Sequence, residues 1–365
     1  MFNLKIMLRN LRLGGIYSVI NIGGLAIGMA VSILILSVIY HEWSFDRFHK
    51  KEKQLYVTYT CPIYDGVVQT MGYTNTVLGP TFKENYPQIV ATARMSNTTF
   101  VFSNGDVKLK IYTGRTDPDF LTMFDFPLLY GNRETALNDP YSVILTKRTA
   151  TRLFGTEDPM GKTLLVNNQQ SVTVTGVMKD LPSNTEFGFE ALIPIDLSKA
   201  LGQWHDEGWY SISVQTFVEL HPNAQLDLVN ESIRGIVQAH TDERQAEVFL
   251  YPLNRHHLYS RFENGVPVGG LVDMLRVVGI IAGLILLIAC INFINISTAR
   301  SEKRAVEVGV RKVMGGKRLS LIGQFLGESS VVVLIAGAIA LILVLLAYPK
   351  FGAFINPSIE KRLTS

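Results

Sequence analysis

Gly155, Gly161, Lys162 and Thr163 are residue types that form phosphate-binding loops. In such a loop four residues separate the first glycine from the Gly-Lys-Thr triplet, because the backbone amides must curl around the phosphates at one radius. In this chain five residues separate them. The spacing therefore favours a tight turn that enters a strand, and it argues against a nucleotide site.

Histidines and carboxylates are the other side chains whose types could support chemistry. His256 and His257 are adjacent, and His205 and Asp206 lie earlier in the chain. Adjacent side chains on a strand or loop point to opposite sides, so they rarely bind one metal ion together. No Ser/His/Asp arrangement and no carboxylate pair has a local context typical of catalysis. We therefore expect no metal, no cofactor and no catalytic residue, and we do not expect the chain to be an enzyme.

Three apolar segments form the framework in which these residues must lie. They are Val19–Tyr40, Val277–Ile296 and Ser330–Tyr348, the last within a span predicted over 321–348. About 20 helical residues cross the ~30 Å of hydrocarbon in a bilayer, so each segment is long enough to be a transmembrane helix. The first is too long for the apolar core of a signal peptide. We expect a retained anchor that follows a cytoplasmic amphipathic segment at 1–18.

Residues 41–273, between the first two spans, are mostly polar and predict a folded domain with a core of its own. Within it, Asn104 and the glycine after it predict a hairpin turn. Thr146 is the expected N-cap of a helix over Lys147–Phe154. Another helix is predicted over Ala224–Ala239. The fold class is therefore α+β for this domain, with transmembrane α-helices before and after it.

The distribution of charge predicts the orientation of the chain in a cell membrane. His41–Arg276 holds 21 Lys and Arg against 27 Asp and Glu, whereas Arg300–Arg318 holds seven basic and two acidic residues. Short basic loops stay in the cytoplasm, so the loop 297–320 should lie inside and the large domain outside. Four basic residues just after the first span run against this rule: Arg47, Lys50, Lys51 and Lys53. Acidic residues are interleaved with them, and long translocated domains largely escape the rule.

The basic loop after the second span contains the strongest local pattern. Val306, Val310 and Val313 recur at helical spacing, and Glu307 and Arg311 form a favourable i, i+4 pair. The pattern favours an amphipathic helix that presents one face to lipid headgroups or to a protein. The alternative is a basic loop that only fixes the topology.

Two further features concern the spans themselves. Gly24 and Gly28 in the first span, like Gly279 and Gly283 in the second, have the four-residue spacing of closely packed helices. Glu328 precedes the uninterrupted apolar run of the third span, so we expect it near the inner interface, where a carboxylate costs little. It is either an interfacial residue bonded to a neighbouring helix or part of a coupling surface.

The residues around the basic loop closely resemble the FtsX-like permease signature, over Ile291–Arg300, Arg304–Gly316 and Gln324–Ser329. The domain between the first two spans resembles the MacB-like periplasmic core domain. Its matching segments are short and occur in order: Phe45–His49, Phe124–Leu128, Leu153–Gly155, Asp158-Pro159, Gly161-Lys162, Gly176-Val177 and Asp180–Asn184. The resemblance covers nearly the whole chain.

This resemblance implies the membrane subunit of an ABC-type mechanotransmission or export system. A separate cytoplasmic ABC ATP-binding subunit would hydrolyse ATP, and the spans would relay its motion to the outer domain, in a homodimer or with a second permease half. The implied docking residues are Arg304, Glu307, Arg311, Lys312, Gly315 and Gly316. The implied third-span signature residues are Gln324, Glu328 and Ser329. The outer domain would have two subdomains, the second (roughly 110–190) inserted into the first.

Members of this family usually have a fourth span, so an FtsX-like region over 274–365 that ends in an outer tail at 349–365 is expected to be incomplete. Two other functions remain open. One is a membrane-anchored sensor whose outer domain binds a ligand, although a third span counts against it. The other is an FtsX-like regulator of cell-wall hydrolases. No nucleic-acid partner is expected.

Overall fold

A computed structural model of the chain describes residues 15–204, 208–241, 246–303, 310, 313–314 and 318–355. Its helices are α1 (Gly15–Trp43), α2 (Leu78–Asn85), α3 (Phe120–Met123), α4 (Lys147–Phe154), α5 (Ile195–Ala200), α6 (Leu226–Ile233), α7 (Leu253–His256), α8 (Leu271–Lys303) and α9 (Arg318–Ile355). Its strands are β1 (Leu55–Tyr64), β2 (Val67–Val68), β3 (Thr74–Asn75), β4 (Ile89–Asn104), β5 (Val107–Thr116), β6 (Leu128–Tyr130), β7 (Ser142–Thr146), β8 (Thr163–Val166), β9 (Gln170–Met178), β10 (Ala191–Pro194), β11 (Ile212–Leu220), β12 (Ala246–Pro252), β13 (Arg261–Glu263) and β14 (Val266–Gly269).

The chain divides into two compact units. One is the folded domain Glu42–Val272, and the other contains the long helices, up to His41 and from Asp273 onward. The predicted class, a mixed α and β domain together with long apolar helices, is confirmed.

Among the described residues, three helices are long and apolar enough to cross a membrane: Gly15–Trp43, Leu271–Ala299 and Phe325–Tyr348. The first two extend beyond the predicted spans, and the third lies within the predicted 321–348. α8 continues to Lys303, so residues 297–303 of the predicted loop are helical, and α9 continues to Ile355, into the predicted outer tail. Residues 297–303 contain neither glycine nor proline, so the helical hydrogen bonds continue past the apolar segment.

Small residues bring α1 and α8 together. A Cβ added to Gly28 would lie only 2.4 Å from the Cβ of Ala289. Leu25 and Ala26 of α1 are buried in the same cluster as Ala289 and as Ala336 of α9. Because lipid tails are as apolar as the side chains, such close backbone approach is what holds helices together in a membrane.

The spacing of the glycines predicted this packing with one error. A Cβ at Gly24 would lie 3.4 Å from Asn292, and one at Gly279 would lie 3.4 Å from Ile39. Nothing lies within 4 Å of the corresponding position on Gly283. The packing prediction is wrong for Gly283, because that glycine does not lie on the contact surface of α8.

The folded domain is built on a mixed sheet with the strand order β12-β1-β11-β4-β5-β10-β7-β9-β6. The pairs β5–β10 and β7–β9 are parallel. β4 pairs with β11 over its first half and with β5 over most of its length. It contributes Met95 to a first core, Phe102 to a second and Ile89 to a third. β4 therefore joins three packed clusters into one domain.

The first core is aromatic. Its phenylalanine rings pack edge to face, with Phe124 contacting Phe187 at 4.9 Å and Phe217 at 5.3 Å between centroids. The buried residues of the second core all lie between Phe100 and Leu197. The predicted inserted subdomain, roughly 110–190, remains a proposal.

Several local predictions are confirmed. The Thr146 side chain accepts a hydrogen bond from the Thr149 amide at 3.4 Å and caps α4. β4 ends at Asn104, and Gly105 adopts φ +57° in the hairpin turn. The helix predicted over Ala224–Ala239 is wrong in length.

That helix, α6, covers only Leu226–Ile233. A 3₁₀ turn at Gln238–His240 replaces its predicted last turn. Gly235 lies between the two, and glycine costs about 1 kcal/mol relative to alanine inside a helix.

Candidate functional site

The residues predicted to dock an ATPase lie outside the described part of the chain: Arg304, Glu307, Arg311, Lys312, Gly315 and Gly316. Three described residues beside them are informative. The Met314 amide donates to the Val310 carbonyl at 3.0 Å, as in a helical turn. The side chains of Val310 and Val313 are 54% and 89% exposed.

The third-span signature lies on α9. Glu328 and Ser329 are half-buried, and the backbone of Gln324 is helical. Glu328 lies near the start of the apolar stretch Phe325–Tyr348. That is one end of the span rather than its middle, as an interfacial position requires.

The glycine-rich segment after α4 forms the predicted turn. Gly155 and Gly161 have φ of +63° and +71°, and β8 begins at Thr163. Lys162 pairs with the carboxylate of Glu157, and its Nζ lies 5.5 Å from the ring centroid of Phe154. The turn entering a strand is confirmed.

Within unit Glu42–Val272, the fold brings together three segments that carry the family resemblance: Phe45–His49, Phe124–Leu128 and Asp180–Asn184. Glu42, Glu186 and His257 lie outside these segments in the sequence but contact the first of them or one another. We call six residues in contact here the junction cluster: Glu42, Phe45, Asp46, Asn184, Glu186 and His257. Glu42 lies in the last turn of α1, and Phe45 and Asp46 follow that helix directly.

His257 is the centre of the junction cluster. Its Nε2 lies 2.5 Å from the Oε2 of Glu42, and its Nδ1 lies 2.5 Å from the Oε1 of Glu186. The ring stacks on Phe45 at 3.6 Å with the planes 1° apart. Only a doubly protonated imidazole can donate to both carboxylates.

The surroundings of His257 favour that charged form. Burial alone would lower its pKa, but the hydrogen bonds and the negative charges of Glu186 and Glu42 outweigh burial and raise the pKa to about 9. Burial would likewise raise the pKa of Glu186, but the hydrogen bond from His257 and the charges of both histidines lower it. Both shifts favour the ionised forms of His257 and Glu186 at neutral pH.

Asp46 anchors the same segment through its backbone and its carboxylate. Its amide donates to the Asn184 carbonyl at 3.0 Å, and its Oδ2 accepts from the Glu186 amide at 3.1 Å. Its other oxygen accepts from the Thr185 hydroxyl. Asp46 is buried and adopts φ +52°, a left-handed conformation that aspartate tolerates better than most residues. These bonds hold the turn that follows α1 in one conformation.

His49 attaches the next turn to the aromatic core. Its Nδ1 accepts from the Asp125 amide at 3.0 Å, and the Lys50 amide donates to the Asp125 carboxylate at 2.6 Å. The buried His49 ring packs edge-on against Phe124 and Phe126. Residues after α1 are thus bonded directly to the first core.

The two adjacent histidines point to different partners. The Nδ1 of His256 lies 2.7 Å from the hydroxyl of Tyr59. Burial lowers the pKa of His256, whereas that of His257 is raised. They do not converge on one point, and among the described residues no group of three His, Cys, Asp or Glu could hold a metal ion. His205 and Asp206 lie outside the described ranges.

The chain that leads into α8 begins close to His257 as well. The Val272 amide donates to the Leu258 carbonyl at 3.0 Å. A Cβ on Gly270 would lie 2.7 Å from that carbonyl oxygen and 2.9 Å from the Ser260 nitrogen. The backbone before α8 therefore lies directly on the residues that follow His257.

The hydrogen bonds and ion pairs named above for the junction cluster join residues of the unit Glu42–Val272, and they fix the turn that follows α1 to the rest of that unit. Sequence reasoning found the Phe45–His49 and Asp180–Asn184 segments through their resemblance. It missed Glu42, Glu186 and His257 as partners, because more than 200 residues separate the first from the last and no periodic pattern connects them.

Comparison with known proteins gives two family matches that together span most of the chain. Residues 18–236 match the MacB-like periplasmic core domain. Residues 279–363 match the FtsX-like permease C-terminal region. The first match alone covers more than half of the chain.

Curated relatives are similar at low identity. The ABC transporter permease YknZ of Bacillus subtilis is 25% identical over 280 residues, which cover 76% of this chain and 62% of YknZ. The macrolide export ATP-binding/permease protein MacB of Pasteurella multocida is 26% identical over 268 residues, 72% of this chain and 38% of that protein. The chain therefore spans less than two thirds of the length of either relative.

Two solved domains are also similar. The periplasmic region of MacB from Actinobacillus actinomycetemcomitans aligns over 54% of this chain and 89% of its own, with a TM-score of 0.41 and 12% identity. The extracellular domain of the transporter YknZ from Gram-positive bacteria aligns over 54% of this chain and 99% of its own, with a TM-score of 0.41 and 14% identity.

Proposed function

The chain belongs to the family of ABC transporter permeases that combine a MacB-like periplasmic core domain with an FtsX-like permease region, and on that premise we propose that it relays ATP-driven motion across a membrane. As a permease of this family it is a membrane component of an ABC-type system. In the proposal, a separate cytoplasmic ATP-binding subunit hydrolyses ATP. The domain Glu42–Val272 lies on the extracytoplasmic side of the cell membrane and receives the motion.

The observation that carries this proposal is the junction cluster. The folded domain begins at Glu42, one residue before the end of α1, and ends at Val272, in the first turn of α8. Glu42 is ion-paired to His257, and Val272 is hydrogen-bonded to Leu258, the next residue. Both connections therefore end on the same few residues. A displacement of either connection would move the domain rather than be absorbed by a flexible linker.

The proposed partners follow from charge and exposure. The basic loop 297–320 supplies the face that docks the ATP-binding subunit, through Arg304, Glu307, Arg311, Lys312, Gly315 and Gly316. The exposed valines Val310 and Val313 support a protein-facing surface there. A homodimer, or a second permease half, would complete the membrane part of the complex.

The test is affinity purification of the tagged chain from its native membrane in mild detergent, with co-purifying proteins identified by mass spectrometry. We expect an ABC ATP-binding subunit to be recovered. Glu307→Lys or Arg311→Glu, each alone, should reduce that recovery about tenfold or more. Each change reverses the charge at its position, so the partner's group that was attracted there would be repelled.

Lys108→Glu is the matched control, because it reverses one exposed charge within the folded domain. Membrane insertion must be equal in all variants. Recovery of the ATP-binding subunit that is unchanged in Glu307→Lys and Arg311→Glu would contradict the docking role. Failure to recover any such subunit with the wild-type chain would contradict the proposed function.

A further inference from the structure

The segment Glu42–Lys53, at the end of α1 and directly after it, has basic and acidic residues interleaved in its sequence, yet the fold separates them onto two sides. The acidic side chains point into the domain. Glu42 pairs with His257, Asp46 is 1% exposed, and Glu52 accepts from the Asn254 amide group at 2.7 Å. Their charges are therefore withdrawn from the surface.

One of the basic residues of the segment forms an ion pair with the domain. The Nζ of Lys51 lies 2.8 Å from the buried carboxylate of Glu219 and also donates to the Thr122 carbonyl. By contrast, no ion pair joins Arg47 or Lys50 to any residue in the described part of the chain, and both are exposed. Lys53 is exposed as well. Three of the four basic residues that contradict the charge rule are thus left at the surface of the domain, Arg47 and Lys50 among them.

Aromatic side chains accompany these two cations. The guanidinium of Arg47 lies 5.6 Å from the ring centroid of Trp43, a cation–π contact. Trp43 and Phe48 are both exposed, although Phe48 also touches Phe126 with its edge. We call this surface the Trp43–Lys50 face; it consists of Trp43, Arg47, Phe48 and Lys50.

The position of Trp43 relative to a bilayer follows from the length of α1. The apolar stretch Val19–Tyr40 rises about 33 Å as a helix, enough to fill the hydrocarbon layer. Trp43 ends the helix only three residues after Tyr40, which places it at the level of the headgroups. Tryptophan is enriched at that level, and arginine and lysine bind the phosphates there.

We propose that the Trp43–Lys50 face binds anionic phospholipid headgroups of the membrane that α1 crosses. Arg47 and Lys50 would contact headgroup phosphates, while Trp43 and Phe48 would lie at the boundary with the acyl chains. The inference goes beyond the proposed relay function. It requires only that α1 spans a bilayer, and it gives the basic residues after the first span a role despite their departure from the charge rule.

The experiment uses the full chain with Trp204→Phe and Trp209→Phe, so that Trp43 is the only tryptophan. Phosphatidylglycerol is titrated into the detergent-solubilised protein, and Trp43 emission is recorded. We expect a saturable shift to shorter wavelength. The double change Arg47→Gln, Lys50→Gln should weaken the apparent affinity by about tenfold or more, because each cation near an anionic surface contributes to binding.

Lys108→Gln with Lys110→Gln is the matched control, since it removes two exposed cations from the hairpin of β4 and β5. It should leave the titration unchanged. Phosphatidylcholine and inorganic phosphate are titrated separately, and neither should give the shift. A saturable response to inorganic phosphate would indicate a site for free anions and would overturn the lipid assignment.

A second measurement places the chain in nanodiscs that contain lipids brominated near the headgroup. Trp43 should be strongly quenched by these lipids and little quenched by aqueous iodide. The proposal is overturned if Trp43 behaves as a water-exposed residue in nanodiscs, or if Arg47→Gln, Lys50→Gln binds phosphatidylglycerol like the wild type. The thermal midpoint of that variant shows whether it is folded.

Discussion

At the scale of single residues, neighbouring histidines acquire opposite properties from their surroundings. His256 is bonded to the phenol of Tyr59, and burial lowers its pKa. His257 lies between Glu42 and Glu186, which raise its pKa to about 9. The one-residue step along the chain turns the two rings to different sides, so each meets a different environment. One histidine becomes a neutral hydrogen-bonding group and the other an ion-pairing cation.

The raised pKa of His257 predicts a dependence of stability on pH. Its pKa is higher in the folded state than the value of about 6.5 expected when unfolded, so its stabilisation is complete below pH ~6.5 and is lost as pH rises through about 9. Full loss should lower the free energy of unfolding by on the order of 2 kcal/mol. Thermal unfolding of the full chain in detergent, followed by tryptophan fluorescence, measures it.

The contribution of His257 is isolated by comparing the stability of the wild type with that of His257→Gln between pH 6 and 10. The wild type should be the more stable at pH 6, and the difference should shrink as the pH rises. His221→Gln, at an exposed histidine, is the matched control and should follow the wild type. A difference between wild type and His257→Gln that does not change with pH would contradict the charged state assigned to His257.

At the scale of elements, close packing depends on which side of each helix a small residue occupies. Gly28 contacts Ala289, whereas a Cβ added to Gly23, five residues earlier on the same helix, would have nothing within 4 Å. The Ser32 hydroxyl donates to the Ala282 carbonyl at 3.0 Å and links the same two helices. The interface of α1 and α8 is therefore a specific one, maintained by a glycine and a hydroxyl.

We expect Gly28→Ala to separate α1 from α8, because its Cβ would lie 2.4 Å from that of Ala289. The midpoint of thermal unfolding in detergent should fall by several degrees, as for a loss of about 1–3 kcal/mol from overpacking. Adding Ala289→Gly should restore much of the loss. Gly23→Ala, at the open position, should have little effect.

Equal destabilisation by Gly23→Ala and Gly28→Ala would show that helix propensity or lipid contact matters here rather than the packing of α1 on α8. Failure of Ala289→Gly to compensate for Gly28→Ala would contradict the direct contact between these two residues. Both comparisons use single methyl groups, so differences in polarity do not enter.

At the scale of the whole molecule, a short segment of chain connects the end of α1 to the folded domain. Asp46, His49 and their partners bond that segment to the aromatic core within a few residues of the end of α1. A segment held this firmly is suited to transmit force, as the proposed relay function requires. The proposed docking loop and the domain are then the two ends of one mechanical path.

Glu42→Gln should uncouple the two ends without preventing assembly. It keeps the shape of the side chain and removes the charge that pairs with His257. The variant should recover the ATP-binding subunit and hydrolyse ATP at a similar rate. ATP-dependent change in amide hydrogen exchange within the domain, measured by mass spectrometry on the purified complex, should fall by about half or more.

Glu84→Gln, at an exposed carboxylate on α2, is the control for that experiment and should behave like the wild type. If the ATP-dependent exchange of Glu42→Gln equals that of the wild type, the ion pair with His257 has no part in coupling. If the variant fails to recover the ATP-binding subunit, its effect lies in assembly instead.

The sequence by itself determined the elements whose signals are local. Apolar runs of bilayer length marked the three long helices, Thr146 marked the start of α4, and Asn104 marked a hairpin turn. Each depends on hydrophobicity, capping or turn chemistry within a few neighbouring residues. The helix over Ala224–Ala239 was overextended, because one glycine outweighed the apolar pattern.

Only the tertiary structure decided which distant side chains contact each other and which charged side chains face the interior or the solvent. Glu42 and His257 are paired across most of the domain sequence, and no spacing rule connects them. The charges of Glu42–Lys53, four basic and three acidic, nearly cancel when read along the chain, yet folding turns Asp46 inward and leaves Arg47 at the surface. Side-chain direction depends on the turn at Asp46 and its bonds to Asn184 and Glu186, which form only when the sheet has assembled.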